Sequence, residues 1–189
     1  FSQLVFDTGG SNQSIARIVA LRKGSATNDL AFVTEHNNTK AERLRITSAG
    51  AIGVGTDSPD GRLHVHRESA GSVTAASDAN ELVLENSADV GMSFLTANNS
   101  LARIKFGDPD ATNAGIIIYS HVDNSLRFQH TSNERLRIDS SGRLLIGSTS
   151  SRTIANHAAR IQLQGTDYQT STLSIINNAN AGNGAFLYF

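Results

Sequence analysis

The chain has 189 residues, a formal net charge of −1 and a pI near 6.6, so it has room for one or two ordinary domains and shows no clustered basic face of the kind that binds nucleic acid. It contains no cysteine, which excludes disulfides and cysteine-based zinc sites. No apolar run reaches the length of a membrane-spanning helix, and no charged stretch followed by an apolar core opens the chain, so no secretory leader is expected within it.

Ser, Asn, Thr and Gly make up 69 of the 189 residues, against 2 prolines, a composition that suits many short strands joined by tight turns. Alternation of apolar and polar residues predicts strands near 3–6, 14–21, 30–34, 42–46, 51–54, 62–66, 81–85, 92–96, 101–106, 115–119, 125–129, 134–138, 143–146, 160–164, 172–176 and 185–189. This regular period-two pattern also argues against disorder. No window carries clean helical spacing. The best helical candidate is "RTIANHAAR" at 152–160. The expected class is all-β, an elongated array of short antiparallel strands and hairpins.

Two stretches carry the organisation. Residues 42–55 read "ERLRITSAGAIGVG" and residues 134–147 read "ERLRIDSSGRLLIG". Over 42–56 and 134–148, eight of fifteen aligned positions are identical. In each copy a period-two strand leads through turn chemistry, with Gly50 or Gly142 free to take positive φ, into a second strand. The expected hairpin face is Leu44, Ile46, Ile52 and Val54 in the first copy. In the second it is Leu136, Ile138, Leu144 and Ile146. These are expected to point into a core, with the alternating arginines flat and solvated on the outer face. "SIARI" with "SLARI", and "GRLHVHR" with "ARIQLQG", extend the likeness to repeats of about 92 residues. The expected division is 1–68 for the end of one repeat, 69–165 for a complete second one and 166–189 for the start of a third, cut from a longer array. Each strand offers few inward apolar groups, so closing a core between identical chains is expected.

"AERLRITSAGAIGVGTDSPDGRLHV" and "NERLRIDSSGRLLIGSTSS" resemble a motif of tail fibre and tailspike-like proteins of tailed bacteriophages. The match runs from Glu42 to Pro59 with Leu63 and Val65, and from Glu134 to Thr149; the second copy lacks the proline. The resemblance implies a parallel, intertwined homotrimer in the virion, outside the cell. It implies contact with other tail proteins and with a bacterial surface glycan or outer-membrane receptor, and no membrane insertion. It also implies a structural shaft or receptor-binding segment of the kind often followed by a self-cleaving C-terminal chaperone domain. The alternatives are a polysaccharide-degrading tailspike and a trimeric adhesin stalk, although no heptads of the latter kind are visible.

No catalytic residue and no cofactor is expected. "HVH" places His64 and His66 opposite the apolar pair Leu63 and Val65, and their counterparts are Gln162 and Gln164. The two histidines are therefore read as outward residues and only as weak metal candidates. "GDPDATNAG" at 107–115 lacks the further oxygens of a calcium loop. Asp57, Asp60, Glu81 and Glu85 carry no mark that separates a glycosidase pair from surface charge. "GAIGVG" sits on a hairpin rather than before a helix, so it is no phosphate loop.

Overall fold

A computed structural model of the chain describes residues 2–7, 9, 15–153 and 156–165. The chain divides into two compact units, Phe1–Met92 and Ser93–Phe189. This division falls inside the stretch 69–165 expected to be one repeat. The expected third segment, 166–189, lies outside the described residues, as do the strands expected at 172–176 and 185–189.

The first unit is one seven-stranded sheet in sequential order: β1 (Ser2–Asp7), β2 (Ile15–Arg22), β3 (Asn28–His36), β4 (Thr39–Ile46), β5 (Ile52–Val54), β6 (Leu63–His66) and β7 (Leu82–Glu85). Among its described residues the second unit is a six-stranded sheet, β8 (Leu101–Phe106), β9 (Gly115–Ser120), β10 (Ser125–His130), β11 (Asn133–Ile138), β12 (Leu144–Ile146) and β13 (Ile161–Leu163), again in sequential order. All described elements are strands. The one weak helical candidate, 152–160, forms no helix among its described residues, where Asn156 takes φ 63°, a left-handed conformation that a right-handed helix excludes.

Both sheets are mixed, which corrects the antiparallel expectation. Pairing is antiparallel from β1 to β5 and from β8 to β12, then parallel for β5–β6, β6–β7 and β12–β13. Period two is the same in either kind of ladder, so alternation alone could not separate them. The strand expected at 92–96 does not form. Met92, Phe94 and Leu95 are exposed there, Leu95 at 92%, and an alternating segment without a neighbour to bond has nothing to hold it extended.

The two hairpins share one register. Leu44 faces Val54 and Ile46 faces Ile52; Leu136 faces Ile146 and Ile138 faces Leu144. Gly50 and Gly142 close the turns at φ 83° and 71°, donating to the carbonyls of Thr47 and Asp139. Gly55 and Gly147 end β5 and β12 at φ 80° and 75°. A Cβ on Gly55 would drive into the carbonyl oxygen of His66 at the end of β6, and one on Gly147 into that of Gln164 just past β13.

One bulge recurs as well. Val33 faces Glu42 while Phe32 faces Leu44, leaving Arg43 extra; Gln129 faces Glu134 while Phe128 faces Leu136, leaving Arg135 extra. In an unbroken strand residues three apart point to opposite faces. The inserted residue cancels that offset, so Glu42 and Arg45 share a face, as do Glu134 and Arg137.

The small core lies on this charged face. Among the described residues the buried apolar side chains are Val19, Ala31, Ile116, Ile118 and Leu145. In the first unit Val19, Ala31, Arg45, Gly53, His64 and Val83 follow one another across the sheet. The connection after β5 packs at the Gly53 end of this row, with Thr56 where a Cβ on Gly53 would fall, and Asn80, before β7, packs against the connection where a Cβ on Gly61 would fall.

Among the described residues the opposite face is less covered, with Asn86, Asp89 and Val90 approaching it only beside Val65 and Leu84. Leu4, Ile18, Phe32, Leu44, Val54, Val65 and Leu84 form one cross-strand row. The row beside it runs from Ser2 and Ala20 through Leu30, Ile46, Ile52 and Leu63 to Leu82. No residue of either row is buried. The hairpin residues expected to point into a core do share a face, but in the single chain it is the uncovered one. Alternation tells which residues share a face, not which face a second layer covers.

Candidate functional site

Three features stand out: a charged cluster behind each hairpin, a histidine–carboxylate cluster at the parallel strands, and the uncovered apolar faces. The first corrects the reading of the arginines as solvated. Arg43 is exposed, with Nε donating to Thr34 Oγ1 at 3.1 Å, whereas Arg45 is 5% exposed. The Arg45 guanidinium donates from Nε and Nη2 to the two oxygens of Glu42 at 2.6 and 2.7 Å, and from Nη1 to Asp29 Oδ2 at 3.0 Å. Asp29 also accepts the Ser48 amide at 2.8 Å. The hydrogen bond to Glu42 holds the Arg45 pKa above its ordinary value against the opposing effect of burial.

In the second unit Arg137 grips Glu134 in the same way, at 2.6 and 2.8 Å, and reaches Asp123 Oδ2 at 3.0 Å. Asp123 stands in the β9–β10 turn rather than on a strand, and Arg127 also pairs with it. Burial pushes the Asp123 pKa up, but Ser120, Ser125 and Arg127 outweigh it and hold the carboxyl well below its ordinary range. These are forked, charge-assisted bonds within one sheet. They hold the two ends of the bulge together and occupy Arg45 and Arg137 in ion pairs. The sequence signal was E-x-x-R, which period two alone assigns to opposite faces.

The second feature joins Asp60, His64 and Glu85, whose donor atoms lie within 4.8 Å of one another. His64 is 2% exposed, which corrects its reading as an outward residue. Its Nδ1 accepts the Asp60 amide hydrogen at 3.2 Å, so in the neutral ring Nε2 carries the proton. Nε2 stands 3.0 Å from Glu85 Oε2, off the line of a directed hydrogen bond. His66 Nε2 is 4.0 Å from the same oxygen. The Ala70 amide, donating to Oε1 at 2.7 Å, is the main cause that lowers the Glu85 pKa; burial opposes it and the two histidines add to it. That is the wrong direction for a general acid.

The donor set does not fit a cation in this arrangement, because a protonated Nε2 has no lone pair to give. The counterpart residue shows what the position does. Gln162, opposite Leu145 as His64 is opposite Gly53, accepts the Arg152 amide at 2.8 Å and donates to the Arg152 and Ala159 carbonyls at 3.1 and 3.0 Å. Each side chain pegs the covering connection to the sheet. At "GDPDATNAG", Asp108 Oδ1 accepts the amides of Asp110 and Ala111 at 3.0 and 2.7 Å, a turn built on its own backbone.

The third feature repeats in the second unit. Ile104, Ile117, Phe128, Leu136, Ile146 and Leu163 form one row; Ala102, Tyr119, Leu126, Ile138, Leu144 and Ile161 form the next. None of the twelve is buried. Tyr119, Phe128 and Ile138 are each 40% exposed and Ile161 64%.

No family model matches the chain, and no curated protein matches it.

Proposed function

We propose that this chain is a structural segment of a phage tail fibre, forming its shaft or a host-receptor-binding portion and assembling as a parallel homotrimer in the virion. The observation that carries the reading is recurrence. The E-R-L-R-I hairpin stands once in each unit with the same turn glycine, the same bulge, the same bidentate Glu–Arg pair and the same parallel exit strand. A backbone device used repeatedly suits an extended array that adds one like segment after another. The motif resemblance supplies the particular class, a fibre with repeats of about 92 residues.

In this reading the segment performs no chemistry. Its carboxylates serve ion pairs, turns and a connection peg, and its partners are other tail proteins and a glycan or protein receptor on the bacterial surface. The test is to incubate labelled protein with bacterial envelopes and follow both retention and released sugar. Retention, or inert behaviour of a pure shaft, without oligosaccharide release agrees with the proposal. Catalytic release of oligosaccharide replaces it with the tailspike reading.

A further inference from the structure

We infer that the two uncovered apolar faces are closed by further copies of this same chain, with the E-R-L-R-I hairpins lying at the buried contact. This rests on the fibre reading and deepens it: the alternating leucines, isoleucines and valines of the motif are intermolecular core, and the arginine side is the one each chain covers for itself.

Four observations converge on that occupant. The paired rows contain no charged residue in either sheet, and no residue in them is buried. Among the described residues, two connections are held to the other face, where Asp60 and Arg152 are pegged through His64 and Gln162. Each face is a sizeable apolar patch. With strands about 4.8 Å apart and same-face neighbours about 6.8 Å apart, the rows span roughly 450 Å² in the first sheet and roughly 400 Å² in the second. Each compares with the largest apolar patch of a typical monomer, about 300–600 Å², and is about half of the roughly 800 Å² that a stable interface takes from each partner, so an occupant that engages both reaches that size. Finally, the face occurs twice with one register, so an occupant that covers both must itself present a matching surface twice. A second copy does so by construction.

The absence of cysteine makes the test clean. Single variants L82C and Y119C place a thiol on each face, at positions 49% and 40% exposed in the single chain. S72C, in an exposed connection, and K105C, on the other side of β8, serve as controls. Each variant is sized by light scattering and its maleimide reaction rate measured in the same buffer. The expected result is an oligomer in which L82C and Y119C react at least about tenfold more slowly than S72C and K105C, with dilution into dissociating conditions abolishing the difference. An oligomer in which all four react alike overturns the assignment of the faces and leaves the homotrimer standing. A folded monomer with all four reactive overturns both. If L82C alone fails to fold, Y119C carries the same decision.

Discussion

Strands β1–β6 and β8–β13 repeat one strand order and one pattern of pairing with different side chains. Where the first unit has Ala31 opposite Arg45, the second has Arg127 opposite Arg137. One arginine therefore sits between two carboxylates in the first sheet, and two arginines share two in the second. The second carboxylate comes from strand β3 in one case, Asp29, and from the β9–β10 turn in the other, Asp123. Volume is exchanged in the same way. Gly53 with His64 fills the covered face of the first unit, and Leu145 with Gln162 fills that of the second. The glycines at the turn and at the strand end, and the bulge, do not vary. Backbone devices are what the fold requires at these positions, and the charges and packing around them have more than one solution.

The largest expected effect breaks this comparison at its charge balance. Arg45→Ala strands Asp29, whose side chain is 5% exposed, beside Glu42, and should cost about 4 kcal/mol, as removal of one partner of a buried pair does. Arg137→Ala leaves Arg127 within 3.6 Å of Glu134 and still paired with Asp123, and should cost about 1 kcal/mol. Urea unfolding followed by circular dichroism measures both. Equal losses would mean that the second arginine does not compensate.

A smaller difference separates the two invariant glycine positions. A Cβ on Gly50 meets open space, so Gly50→Ala carries only the left-handed backbone cost of about 1–2 kcal/mol. Gly55→Ala adds a collision with the His66 carbonyl and should cost about 1–3 kcal/mol more. The same ordering is expected for Gly142→Ala and Gly147→Ala. A reversal in either unit would show that the parallel strand can shift away.

The smallest effect is on acid stability. Asp123 and Asp139, both in the second unit, are held below their ordinary pKa. For Asp139, burial pushes upward and hydrogen bonds from Arg143 and Ser141 prevail. A carboxyl with a lowered folded pKa contributes stability that is fully present above its unfolded value and is lost as pH falls through the folded one. Hydrogen exchange at pH 7 and pH 3, corrected for intrinsic rates, should therefore show β10–β12 losing more protection than β3–β4. Asp123→Asn should reduce that difference.

Much of the strand order was legible because alternation and turn glycines are local signals. The hairpin at 42–55 and its copy could be placed from Leu44, Gly50 and Ile52 alone. The bulge was not legible, because it depends on how β4 meets β3, and with it went the pairing of Glu42 with Arg45. The burial of His64 was hidden for a similar reason: it depends on Gly53 across the sheet leaving space, while the outward reading came from Leu63 and Val65 being the apolar pair. The uncovered state of that apolar side is a property of what packs against the sheet, and no single strand encodes it.

Sedimentation equilibrium across a wide concentration range tests the central claim most directly. A structural segment whose apolar faces are closed by copies of itself should sediment as a stable species of three times 20.1 kDa. A well-folded species of 20.1 kDa at every concentration would contradict the account.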